Sequence, residues 1–262
     1  MAEDSIDKVR AAVTDRVELP GMSLMEHLDE LRKRLIRAVL FLLGGVGIAS
    51  LFHNQLLAFI QKPLSDFNLK MTMTHPTDAM NFLIKTSILA GAIIASPFIL
   101  YQLWLFISPG MYAHERKYVF PFMGSTVGLF LAGAWFGYRW VLPGAIKVLV
   151  IEIGDKYNHM ITIEDYTGFF LAVILGLGIC FELPILMFFL ALFGIVDHKF
   201  FLKQWRYAVL IIFLVAAVIC PLPDPIGMGL FASPMLVLYI VGVIVAYFVH
   251  PSRRAAKEQP AA

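Results

Sequence analysis

The chain has 262 residues, of which 59% are hydrophobic and 15% are charged, and its mean hydropathy is +0.77. An ordinary soluble domain carries roughly 25% charged residues, so water is not the main solvent of this chain. A net charge of only +2 argues against a nucleic-acid-binding surface, which needs a clustered basic patch. Because one helical crossing of a bilayer takes about 20 apolar residues, the length allows several crossings and little soluble domain.

The pattern along the chain predicts an all-α polytopic membrane protein with six transmembrane helices. Residues 1–20 have mixed charge and no apolar segment followed by a cleavage site, so we expect no removable signal peptide. We predict a cytoplasmic tail over residues 1–20, a six-span membrane domain over residues 21–250 and a second cytoplasmic tail over residues 251–262.

An amphipathic helix is predicted over Ser23 to Arg37, before the first apolar run. Ser23 and Glu26 form a capping box at its start. The apolar stripe recurs at helical spacing and consists of Leu24, Leu28, Leu31 and Leu35. Glu26 and Glu30 are like charges four residues apart, and Arg34 relieves their repulsion only in part. We predict that this helix lies on the inner leaflet and attracts a cationic partner; a solvated, charged helix start is the simpler alternative.

Six apolar runs follow, separated by polar or proline-rich stretches. They are Leu35 to Phe52, Phe82 to Ile107, Tyr118 to Leu142, Tyr166 to Phe193, Tyr207 to Ile219, and Ile226 to Val249. At 1.5 Å per residue the fifth run reaches only about 20 Å, and Pro234 leaves the straight part of the sixth at about 22 Å. We therefore predict local thinning of the membrane around spans five and six.

Lysine and arginine residues cluster in alternate loops, which sets the orientation. The inside segments contain Arg32, Lys33, Arg34, Arg37, Arg116, Lys117, Lys199, Lys203, Arg206, Arg253, Arg254 and Lys257. Since positively charged loops are retained in the cytoplasm, both ends of the chain are predicted to be cytoplasmic. Lys85 and Arg139 lie near outward span ends, where their side chains can reach the headgroups.

The first inside loop, Ser108 to Lys117, combines a Pro-Gly turn with a carboxylate, Glu115, at the membrane surface. Glu115 can simply pair with a neighbouring base. It can also take a guanidinium in a bidentate pair, and two sites of this kind would hold two arginines.

Span four contains a carboxylate, Glu182, within the stretch Phe181-Glu-Leu-Pro184. An acidic residue at the centre of a span is unfavourable by about 2.5–3.5 kcal/mol, so a polar group must face it. One alternative is a hydrogen bond to a neighbouring helix, and the other is a contact for a client or partner helix, which we favour. Pro184 predicts a kink beside Glu182. In span three, the spacing of Gly124, Gly128, Gly133 and Gly137 predicts two close helix contacts.

The sequence contains no motif for covalent, metal or nucleotide chemistry. The phosphate loop, the zincin motif and the nucleophile elbow are all missing, and Cys180 and Cys220 have neither metal nor disulfide spacing. We therefore expect no catalytic residue, cofactor or metal, and no enzymatic activity.

Several of these stretches together resemble the TatC family, the multispanning receptor subunits of the twin-arginine translocase. The stretches that carry the resemblance are Met25 to Leu35, Ala95 to Trp104, Phe106 to Tyr112, His114 to Arg116, Phe181 to Pro184, and Pro221 to Pro225. The resemblance implies a concave helical bundle in the cytoplasmic membrane that exports folded proteins using the protonmotive force.

The resemblance also implies roles for three carboxylates. Glu30 and Glu115 match the family residues that recognise the twin arginines of signal peptides, and Glu182 matches an intramembrane glutamate that meets a partner or signal-peptide helix. The implied partners are the single-span TatA and TatB subunits, twin-arginine signal peptides, membrane lipid and further copies of the chain, but not nucleic acid. The alternatives are a proton-coupled solute transporter that uses Glu182, which the lack of internal repeats disfavours, and a purely structural scaffold.

Overall fold

The computed structural model describes residues 24–107, 119–152, 154, 160–192, 196, 198–219 and 225–249. The α-helices are α1 (Leu24–Leu51), α2 (His53–Ser65), α3 (Asp78–Ile107), α4 (Val119–Phe136), α5 (Leu142–Ile146), α6 (Ile163–Cys180), α7 (Leu183–Leu192), α8 (His198–Lys203), α9 (Trp205–Ile219) and α10 (Pro225–Val249). Two π-helical segments, Gly137–Val141 and Lys147–Glu152, flank α5, and two short strands, β1 (Met71–Thr72) and β2 (Ile161–Thr162), pair in parallel.

The helices account for all six predicted apolar runs. Five described stretches are long and apolar enough to cross a membrane: α1, α3, α4 continued to Glu152, α6 with α7, and α10. The fifth run forms the shorter apolar helix Trp205–Val218. The prediction of an all-α polytopic membrane protein is therefore confirmed.

The amphipathic segment before span one is not a separate surface helix. Helix α1 runs without a break from Leu24 to Leu51, so the charged residues and the apolar run share one axis. At 1.5 Å per residue its 28 residues extend about 42 Å, more than a bilayer core needs. The charged first turns are therefore part of the same helix as span one, and their position at the inner leaflet stays a prediction. Ser23, the predicted cap, lies outside the described residues.

Spans five and six differ in length. Helix α9 has 15 residues and would reach about 22 Å, as the sequence predicts. Helix α10 continues through Pro234 for 25 residues, about 37 Å, so the expected shortening of span six is wrong. Proline removes one backbone hydrogen bond, and α10 continues despite that loss. Thinning of the membrane next to α9 stays a prediction.

Two pairs of helices approach closely at glycines. A Cβ on Gly45 of α1 would lie 2.5 Å from the Gly91 carbonyl oxygen of α3, so side chains are excluded where these helices cross. A Cβ on Gly133 of α4 would lie 2.6 Å from the Leu177 carbonyl oxygen of α6. Gly137 also approaches α6, which confirms the second glycine pair predicted for span three.

The first glycine pair of span three behaves differently. A Cβ on Gly124 or on Gly128 would meet no described atom within 4 Å, so this pair makes no close helix contact in the described part of the chain. The glycine spacing alone does not reveal which helix, if any, lies opposite.

Polar contacts join the elements at the end of the bundle that the charge pattern predicts to face outward. The Tyr166 hydroxyl donates to the Ile60 carbonyl of α2 at 2.8 Å, and the Tyr138 hydroxyl donates to the Phe59 carbonyl at 3.1 Å. Lys85 pairs with Glu164 of α6 at 3.3 Å, so its ammonium group has a protein partner, and its reach to the headgroups stays a prediction. The two tyrosine hydrogen bonds connect α2 with α6 and with the π-helical segment after α4, and the ion pair connects α3 with α6.

Candidate functional site

Glu30 lies on α1 where that helix packs along α3, the helix that also supplies the glycine contact described above. Its Oε1 atom is 3.0 Å from Nη2 of Arg34, one turn further along α1. The side chains of Glu30 and Arg34 are only 16% and 20% exposed, so water screens this pair less than a surface pair. This ion pair confirms that Arg34 offsets part of the negative charge on the first turns of α1.

Arg34 pairs with only one of the two carboxylate oxygens of Glu30. Oε2 of Glu30 is buried and has no hydrogen-bond partner among the residues described. A buried acceptor without a donor is costly, by about 1–3 kcal/mol and more when it is charged. Glu30 therefore retains the capacity to accept one more strong donor.

Helix α3 holds the Arg34 side chain in place from the opposite side. Nη1 of Arg34 donates to Oε1 of Gln102 at 3.4 Å, and the Gln102 side chain is buried. One guanidinium thus connects a carboxylate on α1 with an amide on α3. Nearby, the rings of His27 and Phe106 stack with their centroids 4.5 Å apart, which adds a second contact between the same helices.

A neighbouring ion pair provides a useful contrast. Asp29 pairs with Lys33 at 2.7 Å, but their side chains are 54% and 66% exposed. Exposed pairs of this kind contribute little because both water and salt screen them. Of these two pairs on α1, only Glu30 with Arg34 is shielded enough to form a specific site.

Glu115 lies outside the described residues, together with the rest of the first inside loop. Helix α3 ends at Ile107 and α4 begins at Val119, so residues 108–118 connect the two helix ends. The separation of Glu115 and Glu30 is untested and stays a prediction.

Glu182 lies in a turn between α6 and α7. Its backbone N–H donates to the Ile179 carbonyl at 3.0 Å, and its own carbonyl accepts from the Leu186 N–H at 2.9 Å. The helix is thus interrupted beside Glu182, as Pro184 predicts. Oε1 of Glu182 is buried and lacks a hydrogen-bond partner within the described segments. A polar pocket at this break stays a prediction.

Sequence reasoning missed the role of Gln102. It is a polar residue inside an otherwise apolar span, and that position is the one available signal. Its contact with Arg34 joins residues 68 positions apart and depends on the register of α1 against α3. No spacing rule within a single helix could predict that register.

Among the described residues, no group of three or more histidine, cysteine, aspartate or glutamate side chains could hold a metal ion. The candidate site consists of helices α1 and α3, which present the shielded carboxylate of Glu30. One of its oxygens is paired with Arg34 and the other has no partner among the described residues, so the site is suited to binding a cation.

Comparison with known proteins assigns the fold and the family. Residues 26–234 match the family model described as Sec-independent protein translocase protein (TatC). The TatC protein of Koribacter versatilis is 44% identical over 99% of this chain and 97% of its own length. The TatC protein of Deinococcus radiodurans is 36% identical over 93% of each chain.

Solved structures agree with the sequence relatives. A crystal structure described as the twin-arginine translocase receptor TatC superposes with a TM-score of 0.76, covering 86% of this chain and 99% of that one at 34% identity. A second, of the same receptor in DDM, gives a TM-score of 0.78. The predictions of a multi-pass membrane transport protein, and not an enzyme, are thereby confirmed, and the solute-transporter alternative loses its support. On its fold, its length and its sequence, the chain belongs to the TatC family of Sec-independent protein translocase proteins.

Proposed function

We propose that this chain is the signal-peptide receptor and core membrane subunit of the twin-arginine translocase. In this role it exports folded proteins across the cytoplasmic membrane using the protonmotive force. The observation that supports the proposal most directly is Glu30: a shielded carboxylate with one oxygen on Arg34 and the other without a described donor. That arrangement suits recognition of a further guanidinium.

Geometry favours arginine over lysine as the ligand. A guanidinium presents parallel N–H donors that match the two oxygens of a carboxylate, whereas an ammonium group binds as a point charge. Since Oε2 of Glu30 is buried, an incoming arginine reaches it only when the Glu30 side chain rotates outward or a neighbouring segment moves. Arg34 uses one lone pair of Oε1, which leaves the other lone pair of Oε1 and both of Oε2 for the two parallel donors of the incoming guanidinium.

The second arginine of the signal peptide is assigned to Glu115. Both carboxylates belong to the side that the distribution of lysine and arginine predicts to be cytoplasmic. Glu115 belongs to the loop that follows α3, the helix against which Glu30 packs. The proposal therefore requires that both residues engage one short peptide.

Partner helices are assigned to the membrane-embedded surface. We propose TatA, TatB and further copies of the chain as protein partners, and Glu182 as a polar contact for a partner or signal-peptide helix. Exposed apolar side chains within the apolar run of α1 support a partner helix there, since Leu40, Leu43 and Ile48 are 61%, 60% and 51% exposed. Lipid or a partner helix must cover such a surface in a membrane.

The experiment is photo-crosslinking of a labelled twin-arginine signal peptide to membranes that contain the full-length chain. Glu30→Gln and Glu115→Gln should each reduce capture, because the amide lacks the charge that holds a guanidinium. Asp29→Asn is the matched control, since it removes an adjacent carboxylate that is exposed and already paired with Lys33. Unchanged capture by both glutamine variants would contradict the receptor assignment.

A further inference from the structure

We propose that the junction of α8 and α9 binds an anionic phospholipid of the inner leaflet, with its phosphate on Lys203 and Arg206. The pocket at this junction, called here the elbow pocket, has a volume of about 650 Å³. It is lined by Leu202, Lys203, Gln204, Trp205, Arg206, Tyr207 and Leu210. The candidate ligand is distinct from the twin-arginine peptide, because the pocket is basic where the Glu30 site is acidic.

The elbow pocket is formed by a well-defined backbone. The Gln204 N–H donates to the Phe200 carbonyl at 2.9 Å, and the Gln204 carbonyl accepts from the N–H groups of Tyr207 and Ala208 at 3.0 and 3.1 Å. The Tyr239 hydroxyl of α10 donates to the Phe201 carbonyl at 2.8 Å. These bonds hold α8 against α10 and fix the angle at which α9 leaves it.

Two basic side chains at the pocket have no ion-pair partner among the described residues. Lys203 and Arg206 are exposed, and neither forms an ion pair with any residue that the structure describes. Lys199, one turn before Lys203 on α8, is also exposed. Basic pockets beside transmembrane helices on the cytoplasmic side are suited to anionic headgroups, because the charges of base and phosphate are complementary.

Apolar side chains continue from the pocket along α9. At helical spacing, Tyr207, Leu210, Leu214 and Val218 are 66%, 66%, 64% and 80% exposed. A phosphate held at Lys203 and Arg206 would therefore place its acyl chain beside this stripe. Trp205, which is 54% exposed, adds an amphipathic ring of the kind enriched at headgroup level.

The basic pocket and the adjoining apolar stripe together favour a lipid over a protein segment as the ligand. A partner helix could cover the apolar stripe, but a lipid satisfies both the bases and the stripe with one molecule that is abundant at this depth. Helix α9, which would reach only about 22 Å, also requires the surrounding lipid to adapt to it.

The test is native mass spectrometry of the purified full-length chain in neutral detergent, titrated with phosphatidylglycerol or with phosphatidylcholine. Wild type should retain phosphatidylglycerol in preference to phosphatidylcholine, and the preference should fall when the ionic strength is raised. Because each base near an anionic lipid changes affinity about fivefold, Lys203→Gln with Arg206→Gln should weaken phosphatidylglycerol binding about 25-fold. Phosphatidylcholine binding should change little.

The matched control is Arg32→Gln with Arg37→Gln, which removes two exposed bases of α1 on the same predicted side but outside the elbow pocket. This control should retain phosphatidylglycerol as wild type does. Equal retention by the elbow variant and the control would overturn the proposal, and so would a wild type without lipid preference, whether or not the elbow variant folds. Twin-arginine peptide capture reports on Glu30 separately, so the two assignments fail independently.

Discussion

Glu30 and Glu182 both have an oxygen without a partner among the described residues, but only Glu30 has a described arginine beside it. Glu30 and Glu182 each have one buried oxygen without a hydrogen-bond partner among the described residues. Glu30 also has an arginine at 3.0 Å, held in turn by a buried glutamine on the next helix. Glu182 lies at a helix break with no described ion pair.

The difference indicates two kinds of recognition. A carboxylate that already holds a guanidinium is charged and shaped for a second one, so Glu30 suits a cationic peptide. A carboxylate inside the membrane with no cation beside it is better suited to a hydrogen bond from a partner helix, because an isolated charge there is unfavourable.

Glu30→Gln should weaken binding of a twin-arginine peptide about 10- to 100-fold, because a hydrogen bond to a charged group contributes about 1.5–3 kcal/mol. Fluorescence titration of the peptide against the full-length chain in nanodiscs measures the change. Asp29→Asn should bind within about twofold of wild type, since exposed pairs contribute little. A similar loss in both variants would point to general surface charge and remove the distinction between the two pairs.

Glu182→Leu should stabilise the isolated chain while weakening its association with partner helices. Replacing an unsatisfied buried oxygen with an apolar side chain removes a penalty of about 1–3 kcal/mol. The midpoint of thermal unfolding in detergent measures the first effect, and copurification of TatA and TatB measures the second. Glu30→Leu should not stabilise the chain, because it leaves the Arg34 guanidinium without its carboxylate. If Glu30→Leu raises the unfolding midpoint as much as Glu182→Leu does, the ion pair with Arg34 does not distinguish the two carboxylates.

Gly45→Ala should destabilise the chain by about 1–2 kcal/mol, because overpacking a close contact forces the backbone apart. The new Cβ would lie 2.5 Å from the Gly91 carbonyl oxygen. Gly47→Ala is the matched control, as its Cβ would meet no described atom within 4 Å. In the control, the alanine should preserve or raise the unfolding midpoint. A lower midpoint for the control than for Gly45→Ala would show that α1 and α3 do not cross here.

Gln102→Leu should weaken twin-arginine peptide binding about fivefold, the effect of losing a neutral hydrogen bond of about 1 kcal/mol. The side chain does not contact the peptide in this account but positions Arg34, so Gln102→Glu should restore the contact with the guanidinium. The same fluorescence titration measures both variants. Binding that Gln102→Glu fails to improve over Gln102→Leu would exclude the positioning role.

The sequence predicts the spans well because each depends on a local property, a run of apolar residues. It also places Glu30 one turn from Arg34, since both lie on the same helix. It does not predict that Gln102 completes the arrangement, because that contact requires the register between α1 and α3. The continuity of α10 through Pro234 likewise depends on how the rest of the chain packs around that helix.

The glycine residues also show that a pattern within one helix does not identify the helix packed against it. Gly124 and Gly128 have the spacing of a close helix contact, yet no described atom lies opposite them. Gly45 and Gly91 form a very close crossing, and each is followed four residues later by a buried alanine, Ala49 or Ala95, so the same spacing of small residues does meet a neighbouring helix here. Spacing within one helix describes its surface, and only the fold determines what that surface meets.

The proposed receptor function requires that Glu30 itself holds an arginine of the signal peptide. A double-mutant cycle tests it most directly, combining Glu30→Gln with replacement of each peptide arginine by glutamine and measuring binding of all combinations. We expect a coupling of at least about 1.5 kcal/mol between Glu30 and one of the two arginines, because each change removes the same charged hydrogen bond. Additive losses for both arginines would show that Glu30 contacts neither, and would contradict the account.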